Sequence, residues 1–177
     1  MEDLKYPIGQ VHIPENISEK DIENWICTIE EFPFKLENLV QNLSEEQLNT
    51  PYRNDGWTVR QTVHHCGDSH LNSYIRFKWT LTEDKPTIKA YFEDRWADLF
   101  DTKDAPIDLA LNFIKALHAK WTYLLKGLSD EDLNKEFIHP ESGDAVSLKK
   151  NIAIYAWHCK HHFAHIENLL IRNNWKN

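Results

Sequence analysis

Histidine is the residue type whose placement in this sequence is chemically most informative. The chain has ten histidines, and most of them fall in two short windows that are far apart in the sequence. Neutral imidazole offers a nitrogen lone pair, which makes histidine the commonest protein ligand for transition-metal ions. Two such windows are typical of a metal site assembled from two chain segments. The first window contains His64, His65 and His70, and the second contains His158, His161, His162 and His165.

The second window lies in a segment, 147–175, whose pattern predicts a long helix. At about 100° per residue, its four histidines share an arc of about 100°. His161 and His165 are spaced i, i+4, which places two imidazoles one turn apart on one face, close enough to hold one cation. His158 and His162 have the same spacing, so helical periodicity alone leaves the choice between the two pairs open.

A site with two histidine ligands usually needs a third ligand from another helix. His65 is the best candidate, since it lies on the polar side of a helix predicted over 58–81. We expect this polar side to face the histidine helix and to form a wet cleft there. Gln61, Asp68 and Asn72 share the polar side and are candidates to orient ligands or substrate.

The chemistry of such a site follows from its charge. Three neutral imidazoles leave the charge of a divalent cation uncancelled and leave at least one coordination position open, as in catalytic sites. Water at that position becomes more acidic, and a thiol is deprotonated. The site would therefore support either hydrolysis or attack by a thiolate. No His-Glu-x-x-His run occurs in the sequence, which argues against a thermolysin-like hydrolase.

Composition excludes several other classes of protein. The 177 residues are 41% hydrophobic, which indicates one globular domain rather than a disordered chain. The 28 acidic residues outnumber the 20 basic ones, and without a basic cluster we expect neither nucleic acid nor membrane as a partner. The acidic N-terminus does not resemble a signal peptide, and the three cysteines are not paired in spacing. We therefore expect a cytoplasmic location.

The elements that must position the histidines are helices. Capping signals and a 3.6-residue period predict four long helices and no strand of useful length, hence an all-α four-helix bundle. Pro33 either kinks the first long helix or opens a second one. We expect a single domain, 1–177, with an extended N-terminal arm, 1–17. The long connector between helices 2 and 3 covers 83–106 and contains a short helix near 93–100.

Several strings of the sequence resemble those of the YfiT-type branch of the DinB-like superfamily. The resemblance extends from about Leu4 to Trp175, and its matching strings are long. Four of them contain histidines of the two windows. The strings are 6–9, 50–53, 56–65, 68–78, 155–158 and 161–166.

The resemblance implies a four-helix bundle with a three-histidine metal site. Transferred position by position, the ligands would be His65, His161 and His165, which leaves the roles of His64, His158 and His162 open. Family members bind zinc or nickel and are usually homodimers. We therefore expect a homodimer with one divalent metal ion per subunit, zinc being the favoured ion and nickel or manganese the alternatives.

The resemblance also implies an activity. Members are described as metal-dependent hydrolases, and the better-defined activity of this branch is bacillithiol S-transfer, in which a small-molecule thiol is joined to an electrophile. Our leading hypothesis is such a metal-dependent transferase, and Arg53, Arg60 and Arg76 are candidates to bind carboxylates of the thiol. The first alternative is a hydrolase that uses a metal-bound hydroxide, with Asp68 or a histidine as base. The second alternative is a metal-binding or ligand-binding module without turnover.

Overall fold

The computed structural model describes residues 2–175, apart from the side chains of residues 2 and 3. Most of this part of the chain is helical, and a single two-stranded antiparallel sheet accompanies the helices. In chain order the elements are α1 (Glu2–Lys5), α2 (Glu19–Val40), α3 (Glu45–Leu48), α4 (Val59–Thr82), α5 (Glu93–Ala97), α6 (Phe100–Asp104), α7 (Ile107–Lys126), α8 (Asp130–Asn134), β1 (Glu136–Ile138), β2 (Ala145–Ser147) and α9 (Leu148–Arg172).

The four long helices form a bundle, as the sequence predicted. Helix α2 packs against α7 and α9, and α4 packs against the same two helices. Helices α4 and α9 are therefore neighbours, so the two histidine windows face each other within the bundle. The core is apolar and aromatic, and its largest fully buried side chains include Trp121, Phe77, Phe137, Ile29, Leu36 and Ile114.

Helix caps fix where the two histidine-bearing helices begin. Thr58 accepts a hydrogen bond from the backbone N–H of Gln61, whose side chain accepts one in return from the backbone N–H of Thr58. Ser147 accepts a hydrogen bond from the backbone N–H of Lys150 at the start of α9. A cap sets the first helical residue and hence the direction of every later side chain. His65, about two turns after Thr58, owes its direction to this start.

The structure differs from the sequence predictions at several connections. Pro33 lies inside one continuous helix, α2, so it does not open a second helix. The connector carries two short helices, α5 and α6, where we expected one near 93–100. The N-terminal arm begins with a helical turn, α1, before it becomes irregular. These segments span a turn or two each, which is too short for a periodic signal to be resolved.

The sheet is the other element that we did not predict. Strands β1 and β2 pair antiparallel, and Glu136 lies opposite Ser147 at one end. The long connector joins this hairpin, because the N–H of Ile88 donates to the carbonyl of Ile138 at 3.1 Å. Strands of three residues carry no readable alternation, and their pairing depends on contacts distant in sequence. Among the described residues, no helix has the length and apolar character needed to cross a membrane.

Candidate metal centre

A cavity of about 560 Å³ lies between α9, α4, the N-terminal arm and the loop over 50–57. Five histidines line it, one from α4 and four from α9, so the two sequence windows do converge on one space. Side chains from the arm, the loop and α5 complete the wall. The lining residues are Lys5, Tyr6, Tyr52, Arg53, Asp55, Gly56, Trp57, His65, Glu93, Asp94, Trp157, His158, His161, His162 and His165.

Subsets of these imidazoles are close enough to share a cation, although the predicted set of His65, His161 and His165 is not one of them. His161 and His165 have ring centroids 4.2 Å apart, and His65 and His162 have centroids 4.8 Å apart. Two sets of three have possible ligand nitrogens that all lie within 4.8 Å of one another. The first set is His65, His158 and His162, and the second is His161, His162 and His165.

The ligand set implied by the resemblance draws on both of these groups. His65 belongs to the first set, while His161 and His165 belong to the second. His162, which helical spacing had left open, is a member of both. All of the predicted ligands line the cavity, and the choice of set stays a prediction that metal analysis of variants can test.

His165 is oriented by the N-terminal arm. Its Nε2 lies 3.1 Å from the backbone carbonyl oxygen of Lys5, and since a carbonyl only accepts, Nε2–H is the donor. Burial lowers the pKa of His165 to about 4, so the ring is neutral at pH 7 and Nδ1 carries the lone pair. This Nδ1 is buried and has no hydrogen-bond partner among the described residues. A ligating histidine typically has this arrangement, with its other ring N–H bonded to a carbonyl.

The other site histidines are also neutral and partly unpartnered. Burial, reinforced by the charge of His161, lowers the pKa of His65 to about 3. Burial, followed by the charge of His165, lowers the pKa of His161 to about 4. The Nδ1 atoms of His161 and His162 are buried without a hydrogen-bond partner in the described structure. Unpaired, neutral nitrogen donors grouped in one place fit a divalent cation, which would satisfy them.

An aromatic ring packs against each of the three predicted ligands. Tyr52 stacks on His165 with ring centroids 4.0 Å apart, and Trp157 stacks on His161 at 4.3 Å. Trp57 packs against His65 at 4.4 Å. The sequence analysis missed Tyr52 and Trp57, because both lie in a loop without a periodic pattern. The resemblance could have pointed to both residues, because its matching strings 50–53 and 56–65 contain them.

The loop that carries these rings is tightly closed. The N–H of Tyr52 donates to the carbonyl of Trp57 at 3.0 Å, and Arg172 of α9 donates to the carbonyl of Tyr52 at 2.6 Å. A Cβ at Gly56 would lie 2.7 Å from Cγ of Arg53, so this position needs glycine. Arg53 of this loop lines the cavity and donates from Nη1 to the carbonyl of Asn54 at 2.8 Å.

The cavity wall carries charges of both signs. Lys5 and Arg53 provide cations, while Asp55, Glu93 and Asp94 provide carboxylates. Burial raises the pKa of Glu93, and the neighbouring negative charge of Asp94 adds to the effect. A small molecule with both acidic and amino groups would find partners here.

Three other residues of the polar side of α4 lie outside the cavity that His65 lines. Gln61 is held by its cap and donates from Nε2 to the carbonyl of Ala97 at 2.9 Å. Asn72 donates to the backbone carbonyl of Asp68 at 2.9 Å. Burial and the charge of Asp101 raise the pKa of Asp68 to about 6. Helices α5 and α6 pack against α4, and they cover the part of the polar side around Gln61, while His65 faces the histidine helix as expected.

Gln61, Asp68 and Asn72 are accordingly not among the residues that line the cavity. Any influence of these side chains on ligands would have to pass through the helix, and their orienting role stays a prediction. Periodicity grouped these residues on one side of α4, but the short helices that cover them carry too brief a pattern to be placed against it.

Two of the three candidate arginines lie outside the cavity wall. Arg60 is buried and donates to Asn49, to the carbonyl of Ala105 and to the carboxylate of Glu45. Arg76 is absent from the cavity wall, which leaves Arg53 as the candidate in place.

None of the described cysteines provides a thiolate to the cavity. Cys66 and Cys159 are buried, and burial raises the pKa of both thiols. Cys27 is exposed on α2, outside the residues that line the cavity.

A helical bundle whose neighbouring helices direct several neutral imidazoles into one cavity defines a histidine-based metal-site protein. The chain belongs to the DinB superfamily, whose family model matches residues 29–166. This match spans most of the chain and includes every cavity histidine.

Known proteins resemble the chain over nearly its whole length. A protein of Bacillus cereus (strain G9842) and one of Bacillus thuringiensis subsp. konkukian are each 51% identical to it over 175 residues, covering 99% of this chain and 100% of the relative. Both are named "Putative metal-dependent hydrolase". The solved structure of YfiT from Bacillus subtilis has a TM-score of 0.96 and 44% identity, covering 98% of this chain and 99% of that one. It is described as "a probable metal-dependent hydrolase with an unusual four-helix bundle topology".

Proposed function

We propose that this chain is a metal-dependent thiol S-transferase of the bacillithiol type, with one divalent cation held by His65, His161 and His165. The observation that carries the proposal is the convergence of neutral, buried imidazoles from two helices on one cavity. The names of the relatives support metal dependence. When bound, the cation lowers the pKa of a thiol and leaves a position for its sulfur.

The thiol in this proposal comes from a small molecule. The described cysteines either are buried with raised pKa or lie away from the cavity. The cavity volume falls within the range of about 300–1,000 Å³ that is typical of small-molecule sites. Bringing a thiol and an electrophile together in such a space accelerates their reaction through proximity and orientation.

The charged wall supports a thiol of a particular chemistry. Lys5 and Arg53 would bind carboxylates, and Asp55, Glu93 and Asp94 would bind an amino group. Bacillithiol is a small thiol that carries both kinds of group. The electrophile would then occupy the apolar part of the wall formed by the aromatic rings.

Conjugation of bacillithiol to monochlorobimane tests the proposal. We expect the zinc- or nickel-loaded protein to form the fluorescent conjugate, and we expect a chelator to abolish this activity because the thiol then loses the cation that favours its anion. Adding the metal back should restore the rate. The proposal is wrong if the conjugation rate is the same with and without metal, or if metal and thiol bind without turnover, as a binding module would behave.

Hydrolysis is the second candidate, and one observation favours it. The carboxylates of Glu93 and Asp94 line the same cavity, and the raised pKa of Glu93 suits a group that takes a proton from water. The relatives' names point in the same direction. Metal-dependent ester or amide cleavage that needs no thiol and is lost in Glu93→Gln would favour this activity over S-transfer.

Arg53 provides a sharper test of thiol recognition. We predict that Arg53→Gln raises the KM for bacillithiol roughly tenfold to hundredfold, since a hydrogen bond to a charged group contributes about 1.5–3 kcal/mol. The kcat should change much less, because the substitution removes binding and leaves the histidines intact. Arg76→Gln is the matched control, as its side chain lies outside the cavity wall. Equal effects of the two substitutions on KM would contradict the assignment.

We also propose that the protein is a homodimer, as the resemblance implies. We further propose that it is cytoplasmic, as its unpaired cysteines suggest. Its three cysteines are free, which suits a reducing compartment. Sedimentation equilibrium of the metal-loaded protein would measure the mass directly, and a monomer at micromolar concentration would contradict the dimer.

A further inference from the structure

A chain of hydrogen-bonded imidazoles connects the core of the bundle to the cavity. It begins at the backbone carbonyl oxygen of Ile29 on α2, which lies 2.7 Å from Nδ1 of His118 on α7. Nε2 of His118 lies 2.7 Å from Nδ1 of His70 on α4. Nε2 of His70 lies 3.0 Å from Nδ1 of His158 on α9. The chain thus crosses all four long helices and ends at a histidine of the cavity wall.

The carbonyl at the inner end decides the direction of every hydrogen bond in the chain. A carbonyl oxygen only accepts, so His118 must donate from Nδ1, and its neutral ring then accepts at Nε2. His70 must therefore donate from Nδ1 and accept at Nε2. His158 must in turn donate from Nδ1, which leaves the lone pair of its ring on Nε2.

The opposite set of tautomers is disfavoured for a specific reason. If His158 carried its proton on Nε2, each bond of the chain would reverse, and His118 would turn a lone pair towards the carbonyl oxygen of Ile29. Two acceptors would then face each other at 2.7 Å in a buried place, where an unmade hydrogen bond is costly. Only one direction of the chain satisfies every member.

We propose that His118 and His70 are positioning residues, which fix His158 in the Nδ1–H tautomer and thereby aim the lone pair of its Nε2 into the cavity. This gives the site a permanent hydrogen-bond acceptor for the molecule that reacts there. The assignment covers a role that helical spacing left open for His158, and it involves two buried histidines that lie outside the cavity wall.

The outer end of the chain is available to a reactant. Nε2 of His158 lies 3.3 Å from Nε2 of His65 and 3.4 Å from the hydroxyl of Ser69. Both distances are longer than those inside the chain, so neither neighbour engages the lone pair strongly. His158 also lines the cavity, which places its Nε2 where a bound molecule can donate to it.

The surroundings of the chain keep it neutral and rigid. His70 and His118 are fully buried, and burial lowers the pKa of both, so each ring carries one proton at pH 7. Phe32 stacks on His118 with centroids 5.6 Å apart, and Tyr155 meets His70 edge-on at 5.6 Å. The packed rings leave the imidazoles little freedom to rotate out of line.

Nitrogen-15 NMR of the imidazole side chains in chelator-treated protein tests the proposal, independently of metal and turnover. Protonated and unprotonated ring nitrogens have well-separated chemical shifts, so each tautomer is read directly. We expect His118, His70 and His158 all to be protonated on Nδ1 and unprotonated on Nε2. A proton on Nε2 of His158, or a mixture of its two tautomers, in the wild-type protein overturns the proposal without any variant.

Substitution of His118 then tests whether the hydrogen-bonded chain determines the tautomer of His158. In His118→Phe, which keeps a ring of similar size, we expect His158 to change from one tautomer to a mixture, with the Nε2 shift moving towards the protonated range. His118→Gln offers a donor and an acceptor and should restore the single tautomer. Thr122→Val is the control, because the hydroxyl of Thr122 bonds only carbonyls of its own helix. An unchanged His158 tautomer in folded His118→Phe would refute the role of the chain.

Discussion

His161→Ala and His165→Ala are each expected to weaken metal binding at least about a hundredfold, since losing even an outer partner of a ligand costs about 10–100-fold. Both imidazoles line the cavity with a buried, unpartnered Nδ1. A catalytic-type site holds its cation with only three protein ligands, so either substitution leaves only two and weakens binding. Elemental analysis after gel filtration should find about one ion per wild-type chain and under about a tenth of that in the variants.

Variants of the other cavity histidines separate the competing ligand sets. His158 belongs only to the set with His65 and His162, whereas His161 and His165 belong only to the other set. We expect His158→Ala to keep its metal under conditions in which His161→Ala and His165→Ala lose theirs. Metal retained in both of these variants and lost in His158→Ala would make the first set the ligands.

Controls show whether metal loss reflects ligation or unfolding. His12→Ala removes an exposed imidazole outside the cavity wall and should leave the metal content unchanged. Circular dichroism should report the same helix content for every variant. Thermal unfolding adds a second readout, because metal that binds only the folded state raises Tm in the wild-type protein and fails to do so in a ligand variant.

The helices of this fold were predictable because their signals are local. Capping residues such as Thr58 and Ser147 lie next to the helices that they begin, and the apolar period runs the length of each long helix. The interior position of Pro33 was not decidable from the sequence. Its packing in the continuous helix α2 depends on residues that are distant in the chain.

The histidines of the candidate site could be predicted from the sequence, whereas the residues that contact them could not. Spacing offered two pairs on the last helix, the polar side of α4 indicated His65, and the resemblance chose His161 and His165 between the pairs. The stacking of Tyr52 on His165 and the carbonyl of Lys5 that orients the same ring join segments more than a hundred residues apart, so no local pattern reveals them. His118 is the clearest case, since a lone histidine on an apolar helix gives no sign of its hydrogen bond to His70.

The covered side of α4 is a second case in which the pattern of one helix does not reveal what packs against it. Periodicity correctly grouped Gln61, Asp68 and Asn72 on a polar face, but a polar face fits packing against a polar connector as well as it fits a cleft. The contacts that cover this face come from α5 and α6. These helices are too short for their sequence pattern to show how they lie against α4. Arg53 and Glu93 reach the cavity from a loop and a short helix, whose patterns are too brief to show where a side chain points.

Mild acid is expected to destabilise the metal-free protein strongly. Burial lowers the pKa of His118 to about 4 and that of His70 well below its ordinary value, whereas both titrate near 6.5 in the unfolded chain. Between these values the unfolded state binds protons that the folded state does not, so stability is present above about pH 6.5 and is lost as the pH falls.

The size of this effect is set by the number of such histidines. Each contributes a slope that rises to about 1.4 kcal/mol per pH unit, so His70 and His118 together remove roughly 3 kcal/mol between about pH 6.5 and pH 5. The cavity histidines with lowered pKa act in the same direction in the metal-free protein. Asp68 acts in the opposite direction, because its raised pKa makes the folded state bind the proton first. It offsets at most one histidine, and only below about pH 6. The net change is still a large part of a typical stability of about 5–15 kcal/mol.

Urea unfolding of chelator-treated protein at several values between about pH 7 and pH 5 measures this dependence. His118→Phe removes one of these buried groups, so its free energy of unfolding should fall less steeply with acidification, by about 1.4 kcal/mol per pH unit. His12→Phe makes the same substitution at an exposed position and should retain the wild-type slope. If the free energy of unfolding stays constant or rises as the pH falls, the buried imidazoles are not neutral in the folded protein, and the direction assigned to their hydrogen bonds loses its basis.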